Sequence, residues 1–70
     1  MSEFPRITCR AARVNANLTI DQASEKIGVN RSTLINYEKG KTVPDWDVVE
    51  KISKVYMFPA QFIIFGKQSV

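Results

Sequence analysis

The 70-residue sequence contains no histidine and only one cysteine, Cys9. These absences exclude Ser-His-Asp and Cys-His nucleophiles, zinc sites of the usual spacing and an intramolecular disulfide. We therefore expect neither an enzyme nor a bound metal or cofactor. Cys9 is expected to fill the core as a small apolar side chain, and a lone thiol is typical of a cytoplasmic protein.

Long apolar runs are also missing. The longest are short, residues 62–65 among them, far below the roughly 18 residues of a membrane span. No signal-peptide pattern opens the chain. Since 44% of the residues are apolar, we expect one compact domain over residues 1–70, with neither membrane insertion nor export.

The sequence has fewer acidic than basic residues. Seven Asp and Glu stand against ten Lys and Arg, which gives a net charge of +3. Residues 1–43 hold seven of the basic and four of the acidic residues, so the whole excess lies there. Positive charge attracts polyanions. The placement favours a nucleic-acid contact in this part of the chain, although +3 is weak evidence by itself.

The alternation of polar and apolar residues that marks strands is hard to find. Apolar residues instead recur with the 3.6-residue period of an α-helix. We predict an all-α fold of five short helices. The first covers about residues 6–16, with Pro5 at its start and Asn17 as a left-handed stop. The fourth runs from Asp45 to about Tyr56, and the last from Pro59 to about Ile64.

The second and third helices have the clearest boundaries. Thr19 with Gln22 three residues later forms a capping box, and Asp21 in the first turn suits the helix dipole. Gly28 ends this helix, Asn30 caps the next, and a glycine closes that one at residue 40. Because only residues 28–30 join the two helices, they must meet at a sharp corner, as in a helix-turn-helix at about residues 19–39.

The third helix has distinct inward and outward faces. At 100° per residue, an inward Leu34 brings Tyr37 and Glu38 to the same side. The residues that point outward are Ser32, Asn36 and Lys39. Ile35 points outward less directly, and Arg31 lies in the first turn at the edge of this face.

Residues 18–40 read LTIDQASEKIGVNRSTLINYEKG. This segment resembles the helix-turn-helix of the phage repressor and Cro family, also called the xenobiotic-response-element family. The Leu-Thr start, the glycine nine residues after the threonine and the Tyr-Glu-x-Gly ending carry the resemblance. It extends back through residues 10–13 and forward through residues 41–45 and the fourth helix. Residues 55–59 and 62–65 particularly resemble small regulators of Gram-positive phages and mobile elements.

The resemblance implies a five-helix, lambda-repressor-like domain whose third helix enters the major groove of double-stranded DNA. By matching positions, it implies base contacts from Arg31, Ser32 and Asn36. Contacts to the DNA backbone are implied for Thr19, Asn30, Lys39 and Lys41. Arginine suits guanine and asparagine suits adenine, while Lys39 alternatively complements the dipole at the end of its own helix.

The resemblance also implies an ion pair between Arg13 and Glu38 that joins the first helix to the third. Two positions depart from the family pattern. Ile20 replaces a common glutamine, so a phosphate contact is lost there. Met57 stands where glycine or asparagine is usual, which implies local strain or a different helix exit.

The leading functional hypothesis is a sequence-specific transcriptional repressor of phage or mobile-element type. Because one helix contacts few base pairs, we expect a homodimer on a palindromic operator. Phe62 and Phe65 are candidate dimer contacts, or else they fold back onto the core. The alternative is a protein-binding helix-turn-helix module, an antitoxin or anti-repressor, which Ile35 and the apolar C-terminal residues would serve.

Overall fold

Four α-helices make up most of residues 5–65, the part that this computed structural model describes. A 3-10 turn at Ala60–Phe62 and two strands of two residues complete this part. The helices are α1 (Cys9–Asn15), α2 (Ile20–Ile27), α3 (Arg31–Lys39) and α4 (Trp46–Tyr56). The strands are β1 (Ile7–Thr8) and β2 (Ile63–Ile64).

The end of the described chain differs from the five-helix prediction. After the single 3-10 turn, β2 pairs in parallel with β1, with Ile7 opposite Ile63 and Thr8 opposite Ile64. The predicted fifth helix at residues 59–64 is therefore wrong. Consecutive β-branched residues favour an extended backbone. This pairing also buries Ile63, which is 6% exposed.

The beginning of α1 was also predicted too early. Residues 7–8 are extended in β1, so the helix begins at Cys9 instead of residue 6. Thr8 is its N-cap, and the Thr8 Oγ1 accepts a hydrogen bond of 3.0 Å from the Ala11 amide. The left-handed stop at Asn17 is confirmed by its φ of 61°.

The predicted boundaries of α2 are confirmed. The Gln22 amide donates to Thr19 Oγ1 at 3.1 Å, and the Thr19 amide donates to Gln22 Oε1 at 3.0 Å, which completes the capping box. Gly28 ends the helix with φ of 91°. A side chain is strained in this left-handed conformation, so glycine allows the sharp turn into α3.

The ends of α3 and α4 are set in different ways. Asn30 occupies the N-cap position of α3, but its side chain makes no capping hydrogen bond. Gly40 closes α3 in the left-handed region. Met57 closes α4 with φ of 54°, which is the departure that the sequence predicted at this position.

The core lies between α1, α2 and α4, with one residue inserted from α3. Leu34 is fully buried and is the only buried residue of α3, so the rest of that helix is at least partly accessible. Burial of such a side chain stabilises the fold by about 1.5–3 kcal/mol. The core cluster consists of Cys9, Ala12, Ala23, Ile27, Leu34, Ile52, Tyr56 and Ile63.

Candidate nucleic-acid interface

The outer face of α3 is polar and accessible. Arg31, Ser32 and Lys39 are exposed, while Asn36 and Ile35 are half-buried. The predicted outward direction therefore holds fully for Ser32 and Lys39 and in part for Asn36. Leu34 anchors the opposite side of the helix in the core. The helix is thus fixed from one side and free to contact a partner on the other.

Arg13 and Glu38 lie together on the inner side of α3. Arg13 Nε is 2.7 Å from Glu38 Oε2, and Arg13 Nη2 donates to Glu38 Oε1 at 3.3 Å. Arg13 Nη1 donates to the Leu18 carbonyl at 2.8 Å. The two side chains are only 11% and 8% exposed. One guanidinium therefore ties together α1, the segment before α2, and α3.

The pKa values of Arg13 and of its neighbours Cys9 and Tyr56 are all raised in the fold. The hydrogen bonds that Arg13 donates to the Glu38 carboxylate raise the pKa of its guanidinium above the ordinary value. Burial, followed by the Glu38 charge, raises the pKa of the Cys9 thiol to about 12. Burial also raises the pKa of Tyr56, whose hydroxyl has no hydrogen-bond partner among the described residues. Cys9 is thus a neutral core residue at physiological pH.

The start of α2 offers backbone donors beside α3. Thr19 is exposed, and its hydroxyl oxygen already accepts from the Gln22 amide. The amides of Ile20 and Asp21 belong to the first turn, where a helix supplies no acceptor. Such amides attract phosphate groups. The Thr19 hydroxyl retains its own proton for a further hydrogen bond.

Basic and polar side chains border α3 at both ends. Asn30 is exposed at the corner before the helix, and Lys39 is exposed at its last turn. Lys41 is exposed in the following loop, and its amide donates to the Asn36 carbonyl at 3.0 Å. Asn30 and Lys41 therefore flank the helix, before and after it in the sequence.

Sequence analysis missed an ion pair at the α2–α3 corner. Arg31 Nε lies 2.9 Å from Asp21 Oδ1, and the two side chains are 64% and 78% exposed. For Asp21 the sequence predicts only an interaction with the helix dipole. Its place in the first turn of α2, beside a corner that leads directly to Arg31, was the available signal.

Two exposed apolar residues that follow α3 along the chain were also missed. Val43 and Trp46 are each 66% exposed. Val43 helps to line a shallow depression that also involves Asn36, Tyr37 and Thr42. Trp46 is the first residue of α4, and the sequence analysis gives it no role.

The candidate dimer contacts lie at the other end of the chain. Phe62 and Phe65 are both half-buried, and Phe65 packs against the core. Their role between two copies of the chain stays a prediction. Within residues 5–65, no cluster of acidic, histidine or cysteine side chains is arranged to hold a metal ion. No helix in this part has the length and apolar character needed to cross a bilayer.

Comparison of the sequence with known proteins places the chain in a family. The helix-turn-helix family matches residues 10–60. The cryptic phage CTXphi transcriptional repressor RstR of Vibrio cholerae is 38% identical over 60 residues, covering 86% of this chain and 54% of that protein. The HTH-type transcriptional regulator ImmR of Bacillus subtilis strain 168 is 33% identical over 61 residues, covering 87% of this chain and 47% of that protein.

The chain therefore spans about half the length of these two relatives. No solved structure matches it significantly. The predicted resemblance to phage repressors is confirmed by the family match and by similarity to a phage repressor. The chain belongs to the helix-turn-helix family.

Proposed function

We propose that this chain is a sequence-specific DNA-binding repressor whose α3 enters the major groove. The observation that carries the proposal is the geometry of α3. It follows a tight corner, is held inside by Leu34 and by the ion pair of Glu38, and exposes a polar outer face. An α-helix of this kind fits the width of the major groove of B-DNA. Similarity to a phage repressor supports the repressor function.

Three side chains on this face have the chemistry of base recognition. Arg31 has donors for guanine O6 and N7, and Asn36 has the donor and acceptor that match adenine N6 and N7. Each such pair contributes about 1–3 kcal/mol of discrimination against the wrong base. Ser32 can bond to more than one base, so it adds little selectivity of its own.

Contacts to the DNA backbone would position the helix. Thr19 and the first-turn amides of α2 favour a phosphate on one side of the groove. Lys39 and Lys41 supply positive charge on the other, and Asn30 lies at the corner between the helices. These contacts carry affinity without sequence information. The alternative for Lys39, stabilisation of the α3 dipole, is compatible with a phosphate contact.

A single α3 contacts only a few base pairs, because its nine residues span about 14 Å. We therefore propose a homodimer on a palindromic operator, with half-site centres about 34–36 Å apart. Phe62 and Phe65 are the candidate contacts between the two copies. Their half-buried positions leave part of each ring accessible.

Selection of bound duplexes from a random-sequence library tests this function. The purified chain is used at about 150 mM salt, where non-specific binding is weak. We expect an enriched inverted repeat. The double variant Arg31→Ala/Asn36→Ala should lose this enrichment, while Lys54→Ala, which removes an exposed charge from α4, should keep it.

The enriched sequence also tests the proposed dimer. A repeat with half-sites one helical turn apart supports it, whereas a single unrepeated half-site contradicts it. No enrichment by folded protein would contradict sequence-specific binding altogether. That outcome would favour the protein-binding alternative, for which the exposed Trp46 and Val43 would be the first residues to substitute.

A further inference from the structure

The ion pair between Asp21 and Arg31 joins the first turns of α2 and α3 across their corner. The Arg31 Nε to Asp21 Oδ1 distance is 2.9 Å, although both side chains are largely exposed. Arg31 is the first residue of α3 and Asp21 the second of α2. The pair therefore lies at the edge of the proposed DNA-binding face instead of beneath it.

Stability of the fold does not account for this pair. Ion pairs between exposed side chains contribute little to stability, because water and salt screen the two charges. An arginine in the first turn of a helix is also disfavoured by the helix dipole. Asp21 offsets that effect at Arg31, but a neutral residue at position 31 would avoid it altogether.

The contact leaves most of the guanidinium available. Asp21 lies against the Nε edge, and within residues 5–65 no second ion pair involves Arg31. The two terminal nitrogens, Nη1 and Nη2, form the end of a rigid planar fork. Two parallel donors at this end match the O6 and N7 acceptors of guanine in the major groove.

We propose that Asp21 is a positioning residue for base recognition, which rests on the DNA-binding function proposed above. By contacting the Nε edge, Asp21 restrains the long Arg31 side chain and limits the orientations of its guanidinium. Less conformational freedom is then lost when the Nη1 and Nη2 donors meet guanine. Asp21 contributes to specificity without touching a base.

Removal of Asp21 has a second, non-specific effect that must be separated from positioning. The carboxylate carries negative charge close to the path of the DNA backbone. Its loss should tighten binding to every duplex by the same factor. Positioning is instead visible in the ratio of affinities for duplexes that differ only at the base pair contacted by Arg31.

The experiment measures dissociation constants by fluorescence anisotropy with the selected operator and single-base-pair variants of it. The base pair of Arg31 is the one at which Arg31→Ala loses discrimination. Asp21→Asn is compared with Glu25→Gln, which removes an exposed negative charge one turn further along α2. Asp21→Glu keeps the carboxylate. Thermal unfolding verifies that each variant is folded.

We expect Asp21→Asn to lower discrimination at the Arg31 base pair by about two- to fivefold, the size of effect that an exposed ion pair can have. Discrimination at the Asn36 base pair should not change. Asp21→Glu should restore the lost discrimination, and Glu25→Gln should leave it intact. In an Arg31→Ala background, Asp21→Asn should have no further effect on it.

Unchanged discrimination in Asp21→Asn would overturn the inference while leaving the proposed function in place. So would an equal loss in the Arg31→Ala background, because Asp21 would then act independently of Arg31. If the folded wild-type chain itself prefers no duplex, both the proposed function and this inference are contradicted. The two failures are therefore distinguishable.

Discussion

Two arginine–carboxylate pairs flank α3, and they differ in burial and in the number of contacts that hold them. In both, a carboxylate oxygen approaches the Nε of arginine, at 2.7 Å for Arg13 with Glu38 and at 2.9 Å for Arg31 with Asp21. The side chains of the first pair are 11% and 8% exposed, and those of the second are 64% and 78% exposed. The same chemistry therefore has two different surroundings.

Burial decides what each pair can do. Arg13 directs three hydrogen bonds to Glu38 and the Leu18 carbonyl, and its side chain is only 11% exposed, so a ligand has little access to it. Loss of one partner would leave a poorly solvated charge, which is costly. Removal of Asp21 would lower the stability of the fold only a little. The Nη1 and Nη2 groups of Arg31 lie outside the ion pair and remain available as donors. The inner pair fixes α3, and the outer pair is the one that we propose to prepare the helix for binding.

The largest expected effect is on the inner pair. Glu38→Gln removes the charge with little change of shape, and it should lower the free energy of unfolding by about 2–4 kcal/mol, because Arg13 is left uncompensated. Urea unfolding measures this change. Glu25→Gln, an exposed control, should stay within about 0.5 kcal/mol of wild type. Equal effects of the two substitutions would remove the distinction between the pairs.

The outer pair should show the reverse pattern. Arg31→Ala should change the free energy of unfolding by no more than about 0.5 kcal/mol. It should lower discrimination between the operator and a single-base variant by about 1–3 kcal/mol, since a bidentate guanine contact is lost. Binding titrations with Lys54→Ala as control separate this from a general loss of charge. A folded Arg31→Ala with unchanged discrimination would contradict the assignment.

The free energy of unfolding at alkaline pH tests whether the side chains around the inner pair are buried. The thiol of Cys9 has an ordinary pKa of 9.0 in the unfolded chain and about 12 in the fold. The folded state thus favours the protonated thiol, so its contribution is complete below pH 9 and is lost as the pH rises toward 12. Relative to Cys9→Ala, wild type should lose about 1 kcal/mol of stability between pH 9 and pH 10.

Urea unfolding of both proteins at these two pH values checks the prediction. Because Tyr56 is present in both, its own raised pKa cancels in the difference. If the difference in free energy of unfolding between wild type and Cys9→Ala did not change with pH, the Cys9 thiol would be hydrated and not buried.

The smallest expected effect lies at a helix end. Met57 has φ of 54° and is 87% exposed, so its side chain adds strain with little packing. Met57→Gly should raise the free energy of unfolding by about 0.5–1 kcal/mol without altering DNA binding. Asn17→Gly, at φ of 61°, should gain less, because asparagine tolerates this conformation. Thermal unfolding compares the two, and a destabilised Met57→Gly would contradict the strain.

Local signals explain why the centre of the chain was predictable. A capping box needs only Thr19 and Gln22, and a left-handed stop needs only Gly28, so the sequence within a few residues defines α2 and the corner. The inward side of α3 follows from helical periodicity once Leu34 is placed in the core. These are contacts that a helix makes with itself or with its immediate neighbours.

The missed features depend on contacts between distant residues. Each strand has two residues, too few for an alternating pattern, and Ile7 meets Ile63 only after the helices have folded. The prediction of a fifth helix from Pro59 was wrong because it took no account of this pairing. The contact of Asp21 with Arg31 depends on the angle of the corner and on side-chain conformations, neither of which periodicity gives. The accessible surface of Trp46 likewise depends on how α4 packs.

Amide chemical-shift mapping tests the central claim most directly, namely that the outer face of α3 is the DNA-binding surface. The ¹⁵N-labelled chain is titrated with the selected operator duplex. The largest shifts should occur at the start of α3 and around Thr19 and Lys41, while Glu50 and Lys54 on α4 should barely change. Shifts centred on α4, with Arg31 and Ser32 unaffected, would contradict the account.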